Sequence, residues 1–155
     1  MKINRKTAIR SPLLSHSLVF FQFGLAALLM LLMDWQRLTL TTLFFMVAAI
    51  GLGLWAVWTM RTVGFNVIPD PHEACQLVDH GPYRWIRHPM YTSILLFFWP
   101  MVYTQPLTSI VWLLMLLLTV NMLIKLHYEE RLLVDKIPCY RDYQQRTAKI
   151  VPFIF

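Results

Sequence analysis

The residues most able to do chemistry lie in one short string, Gly81-Pro82-Tyr83-Arg84-Trp85-Ile86-Arg87-His88-Pro89-Met90-Tyr91. Pro89 sits well at a first helical position, where its missing N–H costs no hydrogen bond. The free N–H groups and partial positive charge of a helix start suit an anionic group. Arg87 can hold a carboxylate or phosphate through its bidentate fork. His88 can donate or accept hydrogen bonds, and the faces of Tyr83 and Tyr91 attract a cation such as a sulfonium. Taken singly, these residues also suit the charged and aromatic flank of a membrane helix. The whole string is harder to assign to a flank.

Two further groups stand out. Tyr128-Glu129-Glu130-Arg131 places two carboxylates near the end of a predicted helix, where the macrodipole prefers cations. Either Lys125 and Arg131 compensate on a solvated face, or one Glu accepts hydrogen bonds from a ligand or orients Arg87. Tyr140, Tyr143 and Arg146 recur at a spacing of three, so one helical face carries all three. Such a face also suits a helix lying on anionic headgroups.

The elements that must position these residues are apolar helices. Hydrophobic residues make up 57% of the 155-residue chain and charged residues only 14%. That leaves too few charges to coat a water-facing surface, so lipid must be a large part of the solvent. Residues 13–33 carry no charge and as a helix reach about 31 Å, the thickness of a bilayer core. The run is too long for a cleavable signal peptide, and no small-residue cleavage pattern follows it. Further apolar segments are predicted at 38–60, 89–104 and 107–127, the last two pairing as a hairpin. Gly51 and Gly53 allow close helix contact in the second. Residues 61–88, with Pro69, Pro71, Gly81 and Pro82, form a long irregular connection of the kind that usually carries function. Residues 128–155 form a C-terminal surface helix and lid. The prediction is one all-α, polytopic membrane domain of about four transmembrane helices, with a cytosolic pocket formed by the 61–90 loop and the C-terminal segment.

Of the 14 Lys and Arg, four lie in the N-terminal arm, three in 61–88, six after Ile124 and one in the first turn. The positive-inside rule puts both termini and the long loop in the cytosol. Such a chain belongs in the inner membrane of a bacterium or the endoplasmic reticulum of a eukaryote. The net charge of +6 is scattered at the ends of apolar runs rather than interleaved with aromatics, which argues against nucleic acid. Cys75 and Cys139 have no partner at metal-ligand spacing, and their cytosolic placement predicts reduced thiols; no metal site is expected.

Gly81-x-Tyr83-x-x-x-Arg87-His88-Pro89-x-Tyr91, followed by Glu129-Glu130-x-x-Leu133 and Tyr140-x-x-Tyr143-x-x-Arg146, resembles the isoprenylcysteine carboxyl methyltransferases and the related phospholipid methyltransferases. The resemblance runs from about Val63 to the C-terminus. It implies a membrane enzyme that moves a methyl group from S-adenosylmethionine to a lipid-like or apolar small molecule. By position it implies that Tyr83, His88, Tyr91, Glu129 and Glu130 contact the cofactor. Leu77 and Val78 would lie near the adenosine, and Arg87 and Arg146 would orient a substrate carboxylate. Glu130 would join the two arginines as a catalytic residue, deprotonating an amine acceptor if one is used. Ser93 stands where the family often has Gly, and Ile137-Pro138 replaces a Phe-Gly turn.

Two other classes fit the hydropathy. A small four-helix transporter usually buries an ionisable residue at mid-span, and none is central here; His16, Gln22 and Asn121 are the notable polar groups. A haem-binding membrane protein would use His16, His88 or His127 as axial ligands. A soluble nucleotide-binding methyltransferase is excluded, because no Gly-rich strand-to-helix fingerprint is present.

Overall fold

The computed structural model describes residues 12–62, 77–106 and 109–151. Five α-helices follow in order: α1 Pro12–Leu32, α2 Leu40–Thr62, α3 Pro89–Tyr103, α4 Ile110–Lys136 and α5 Tyr140–Arg146. Short 3₁₀ turns occupy Trp35–Arg37 and Gly81–Arg84. The predicted apolar segments fall closely on α1 to α4, and α4 continues unbroken past residue 127. The basic N-terminal arm, residues 63–76 of the long connection with Cys75, and residues 152–155 lie outside the described residues. Among those described, α2 over Leu40–Arg61 and α4 over Ile110–Asp135 are long and apolar enough to cross a bilayer. The 15 residues of α3 reach about 22 Å, short of a full hydrocarbon core.

One stripe of α4 organises the interior. Val111, Met115, Leu118, Met122 and Leu126 recur every three or four residues and are fully buried. They meet Leu25 and Leu29 of α1, Met33 just beyond it, and Tyr91, Phe98, Met101 and Val102 of α3. The outer faces are as apolar as the inner ones. Phe20, Leu40 and Trp58 are 81%, 87% and 73% exposed. Apolar exposure on this scale is far beyond what a monomer in water tolerates and suits contact with lipid chains.

The helices pair differently from the predicted hairpin. α3 rests mainly on α2, and α4 mainly on α1, with a smaller contact between α3 and α4. Small side chains draw α3 to α2: a Cβ on Gly53 would lie 3.1 Å from Ser93 Oγ. Ser93 is the residue that departs from the family pattern, and Gly53 opposite makes room for it. Gly51 has open space around it. On the α1 side, Asn121 Nδ2 donates to Leu18 O at 3.2 Å, and Lys125 Nζ donates to Gln22 Oε1 at 3.3 Å.

Side chains tie the turns down. At one end, Gln105 accepts from Asp34 N and donates to Asp34 O, both at 3.2 Å, joining the α1–α2 turn to the end of α3. At the other, Gly81 adopts φ 59°, a conformation open to glycine at little cost. A Cβ there would also stand 2.6 Å from Thr59 Oγ1 on α2. Cys139, at the head of α5, is not a free thiol, which corrects the reduced state expected for it.

Gly81→Ala therefore carries both backbone strain and a clash with α2. It should lower stability by about 1–3 kcal/mol, read as a drop in unfolding midpoint in detergent. Gly51→Ala, in the same protein, should be neutral or slightly stabilising.

Candidate active site

The Gly81–Arg84 turn buries Pro82 and Tyr83 and delivers the chain to α3 in an extended run. That run pairs in parallel with the segment after α5. Arg87 N donates to Ala148 O at 2.8 Å, His88 N to Lys149 O at 3.1 Å, and Ala148 N to Trp85 O at 3.0 Å. Thr92 Oγ1 adds a bond to Ile150 O at 2.7 Å. From α5, the Tyr143 hydroxyl donates to Tyr83 O at 2.6 Å. Burial pushes the Tyr83 phenol up to about 12 and raises Tyr143 as well, so both act as neutral hydroxyls near neutral pH.

Arg87 and Glu130 form the centre of this arrangement. Arg87 Nε donates to Glu130 Oε1 at 2.6 Å, with the two side chains 5% and 10% exposed. Arg87 Nη1 donates to Gln144 O at 3.0 Å, to Thr147 Oγ1 at 3.3 Å and to Thr147 O. Gln144 Nε2 reaches the second carboxylate oxygen of Glu130 at 3.3 Å. One guanidinium thus joins the loop before α3, the end of α4 and the C-terminal segment.

His88 lies beside this pair, between both glutamates. Its Nε2 is 3.5 Å from Glu130 Oε1 and its Nδ1 is 4.0 Å from Glu129 Oε2. Nε2 is nevertheless buried without a hydrogen bond. The imidazole stacks on Tyr91, with ring centres 5.3 Å apart and planes 5° from parallel. Tyr91 presents its ring to the Lys125 ammonium, 5.1 Å from the centroid, while Lys125 Nζ lies 3.9 Å from Glu129 Oε1. An aromatic face and a carboxylate therefore already hold a cation here.

Two clefts flank the arrangement. The larger, of about 570 Å³, is lined by Trp55, Asp79, His80, Arg84, Trp85 and Arg146, among others. Trp55 and Trp85 meet edge to face at 6.1 Å. The volume falls within the range of small-molecule sites. The second, of about 330 Å³, is lined by His127, Glu130, Arg131, Val134, Asp135 and Gln144. Backbone or side-chain partners of Arg87 wall both clefts.

The family model for phospholipid methyltransferases matches residues 37–137, which hold α2, α3, all of α4 and the string around Arg87 and His88. The chain belongs to this family. A methanethiol S-methyltransferase from a Pseudomonas strain is 38% identical over 71 residues, 45% of this chain. The aligned stretch covers only 26% of that relative. The apolar helices suit a membrane setting, and membership of this family favours methyl transfer over the transporter and haem readings.

In this chain, Tyr83, Arg87, His88, Tyr91, Glu129 and Glu130 lie at one end of the bundle, although residues 92–128 separate the two groups in sequence. Leu77 and Val78 are half-buried and adjoin Asp79 and His80 on the larger cleft. Arg146 lines that cleft too, but its Nε donates to Asp142 O at 3.4 Å and it does not share the Arg87 network. Sequence reasoning missed the acceptors at Gln144 and Thr147, since backbone carbonyls leave no residue-type signal. It also assigned Lys125 only to charge compensation. A lone lysine one helical turn before Glu129, inside an apolar run, was the available clue.

Breaking a buried ion pair strands a charge and costs about 3–5 kcal/mol. Arg87→Leu and Glu130→Leu should each destabilise the purified protein on that scale in denaturant titrations. The double variant should cost clearly less than the two single losses added together.

Proposed function

We propose that this protein transfers a methyl group from S-adenosylmethionine to a lipid-like or apolar acceptor at the cytosolic face of the membrane. In this reading α1 to α4 all cross the bilayer, with α3 tilted or locally thinning it, and both termini face the cytosol. The observation that supports it most is the His88–Tyr91 stack facing Glu129. This cage holds a cation in the form of Lys125, and beside it His88 Nε2 is buried without a hydrogen bond, 3.5 Å from Glu130 Oε1. A cofactor carrying a sulfonium and hydrogen-bonding groups fits that donor set.

Tyr83, His88, Tyr91, Glu129 and Glu130 would hold the cofactor, with Leu77 and Val78 on the adenosine side. When bound, it supplies a methyl group already activated by the sulfonium charge. The chain's own residues then need to orient, exclude water and place charge. Arg87, engaged through Nε by Glu130 and through Nη1 by Gln144 and Thr147, acts as a positioning residue for the glutamates and the lid. Arg146 and Arg84, at the larger cleft, favour an acceptor with an anionic group, such as a carboxylate. A carboxylate needs no base; an amine would lose its proton to a glutamate. The methanethiol S-methyltransferase relative supports a second reading, a small apolar thiol.

The purified protein should bind S-adenosylhomocysteine, and should label a membrane lipid or a short alkyl thiol from methyl-labelled S-adenosylmethionine, identified by mass spectrometry. Glu129→Gln should weaken cofactor binding by roughly tenfold while leaving the unfolding midpoint nearly unchanged, since its carboxylate is half-exposed. Absence of both cofactor binding and label transfer would overturn the reading.

A further inference from the structure

Lys125 stands one turn before Glu129 on α4, and its side chain is only 16% exposed. Its ammonium has three neighbours: the Glu129 carboxylate at 3.9 Å, the Tyr91 face at 5.1 Å and Gln22 Oε1 at 3.3 Å. The first two are groups given above to the cofactor's sulfonium. The third is on α1 and belongs to no part of that site. One aromatic face and one carboxylate serve a single cation well. A second cation at about the same distance is repelled by as much as the first is attracted.

We propose that Lys125 is an internal cation that competes with the sulfonium of the methyl donor for Tyr91 and Glu129, so that the site senses the charge on sulfur. This rests on the cofactor reading above. In methyl transfer the carbon–sulfur bond breaks and its electron pair stays on sulfur. The acceptor's lone pair forms the new bond to carbon, and the sulfur passes from positive to neutral. With the donor present, the ammonium is displaced toward Gln22 Oε1, which is already within hydrogen-bonding distance. With the neutral product present, it remains over Tyr91 and beside Glu129. Lys125 thus sets a cost on the charged donor that the product does not bear, and it keeps Glu129 paired when no cation is bound. Its role is in specificity between two ligand charge states, not in the bond-making itself.

Binding of the two ligands separates this role from a structural one. In titration calorimetry of the detergent-purified full chain, Lys125→Met should tighten S-adenosylmethionine by roughly tenfold while changing S-adenosylhomocysteine by less than about twofold. Lys125→Arg, which keeps the charge, should keep the wild-type ratio. If Lys125→Met does not fold, Gln22→Leu reads the same competition from the other side: the ammonium loses its second acceptor, and the donor alone should weaken several-fold. An equal change in both affinities, or a weaker donor in Lys125→Met, would overturn the proposal. A wild-type protein that binds neither ligand would instead remove the cofactor reading, and this inference with it.

Discussion

A carboxylate placed at the end of an apolar helix and shielded from water must find a cation or force the helix apart. Glu130 finds Arg87, and much of the functional end of the molecule follows from that pairing. The guanidinium has donors left over, and these reach backbone carbonyls at Gln144 and Thr147. The seven residues of α5 are too few to hold a helix by themselves. Their position is set by Arg87, by the Tyr143 bond to Tyr83 O and by the parallel pairing of Ala148 with the run before α3. An ion pair that contributes modestly to net stability can still fix the register of three chain segments, because any other arrangement leaves a charge unpaired.

The same logic extends outward. Arg87, Glu130, His88, Glu129 and Lys125 form a row in which basic and acidic groups alternate. Two adjacent carboxylates in a helix repel each other, and α4 runs on to Lys136, so it is this repulsion rather than the macrodipole that must be offset. They are tolerated here because each has its own cation, Arg87 from the loop and Lys125 from the preceding turn. Arg131, expected to share that compensation, is instead exposed and lines the smaller cleft. The glutamates therefore have different roles. Glu130 is buried and committed to the scaffold, while Glu129 is half-exposed and holds a cation that can be exchanged.

The helices were legible in the sequence because lipid leaves a strong signal: uncharged runs of fixed length, ended by polar turns. The convergence of the Arg87–His88 string with the distal glutamates was legible only through a resemblance, since nothing in the spacing fixes which helix returns beside which. Their pairing was not legible. Helices that are apolar all round carry no amphipathic mark of which face turns inward, so neighbour choice falls to small-residue fits such as Gly53 against Ser93 and to buried polar contacts such as Asn121 with Leu18 O. The partners of Arg87 were legible only in part, a glutamate that orients it being one of the readings of the sequence. A free guanidinium looks like a ligand group until the carbonyls of Gln144 and Thr147 are seen to use it.

A membrane also relaxes what the site must do. An apolar acceptor of the proposed kind would already be concentrated in the bilayer, and its tail would need no deep protein pocket. The chain needs polar groups only where the reacting atoms meet, which is consistent with a site confined to one end of the bundle. Below that level the interior is a stripe of Leu, Met and Val on α4, with Asn121 as its main polar interruption facing α1. Among the described residues, Lys125 is the cation that reaches down from the site, held between Gln22 on α1 and Glu129 above it. Charge, rather than shape, is then the property by which so small a polar region can distinguish ligands that differ by a single methyl group. A methyl adds little volume to a contact surface, but on sulfur it adds a full positive charge, and in the proposed reading a site built from one carboxylate, one aromatic face and one ammonium would respond to that difference directly.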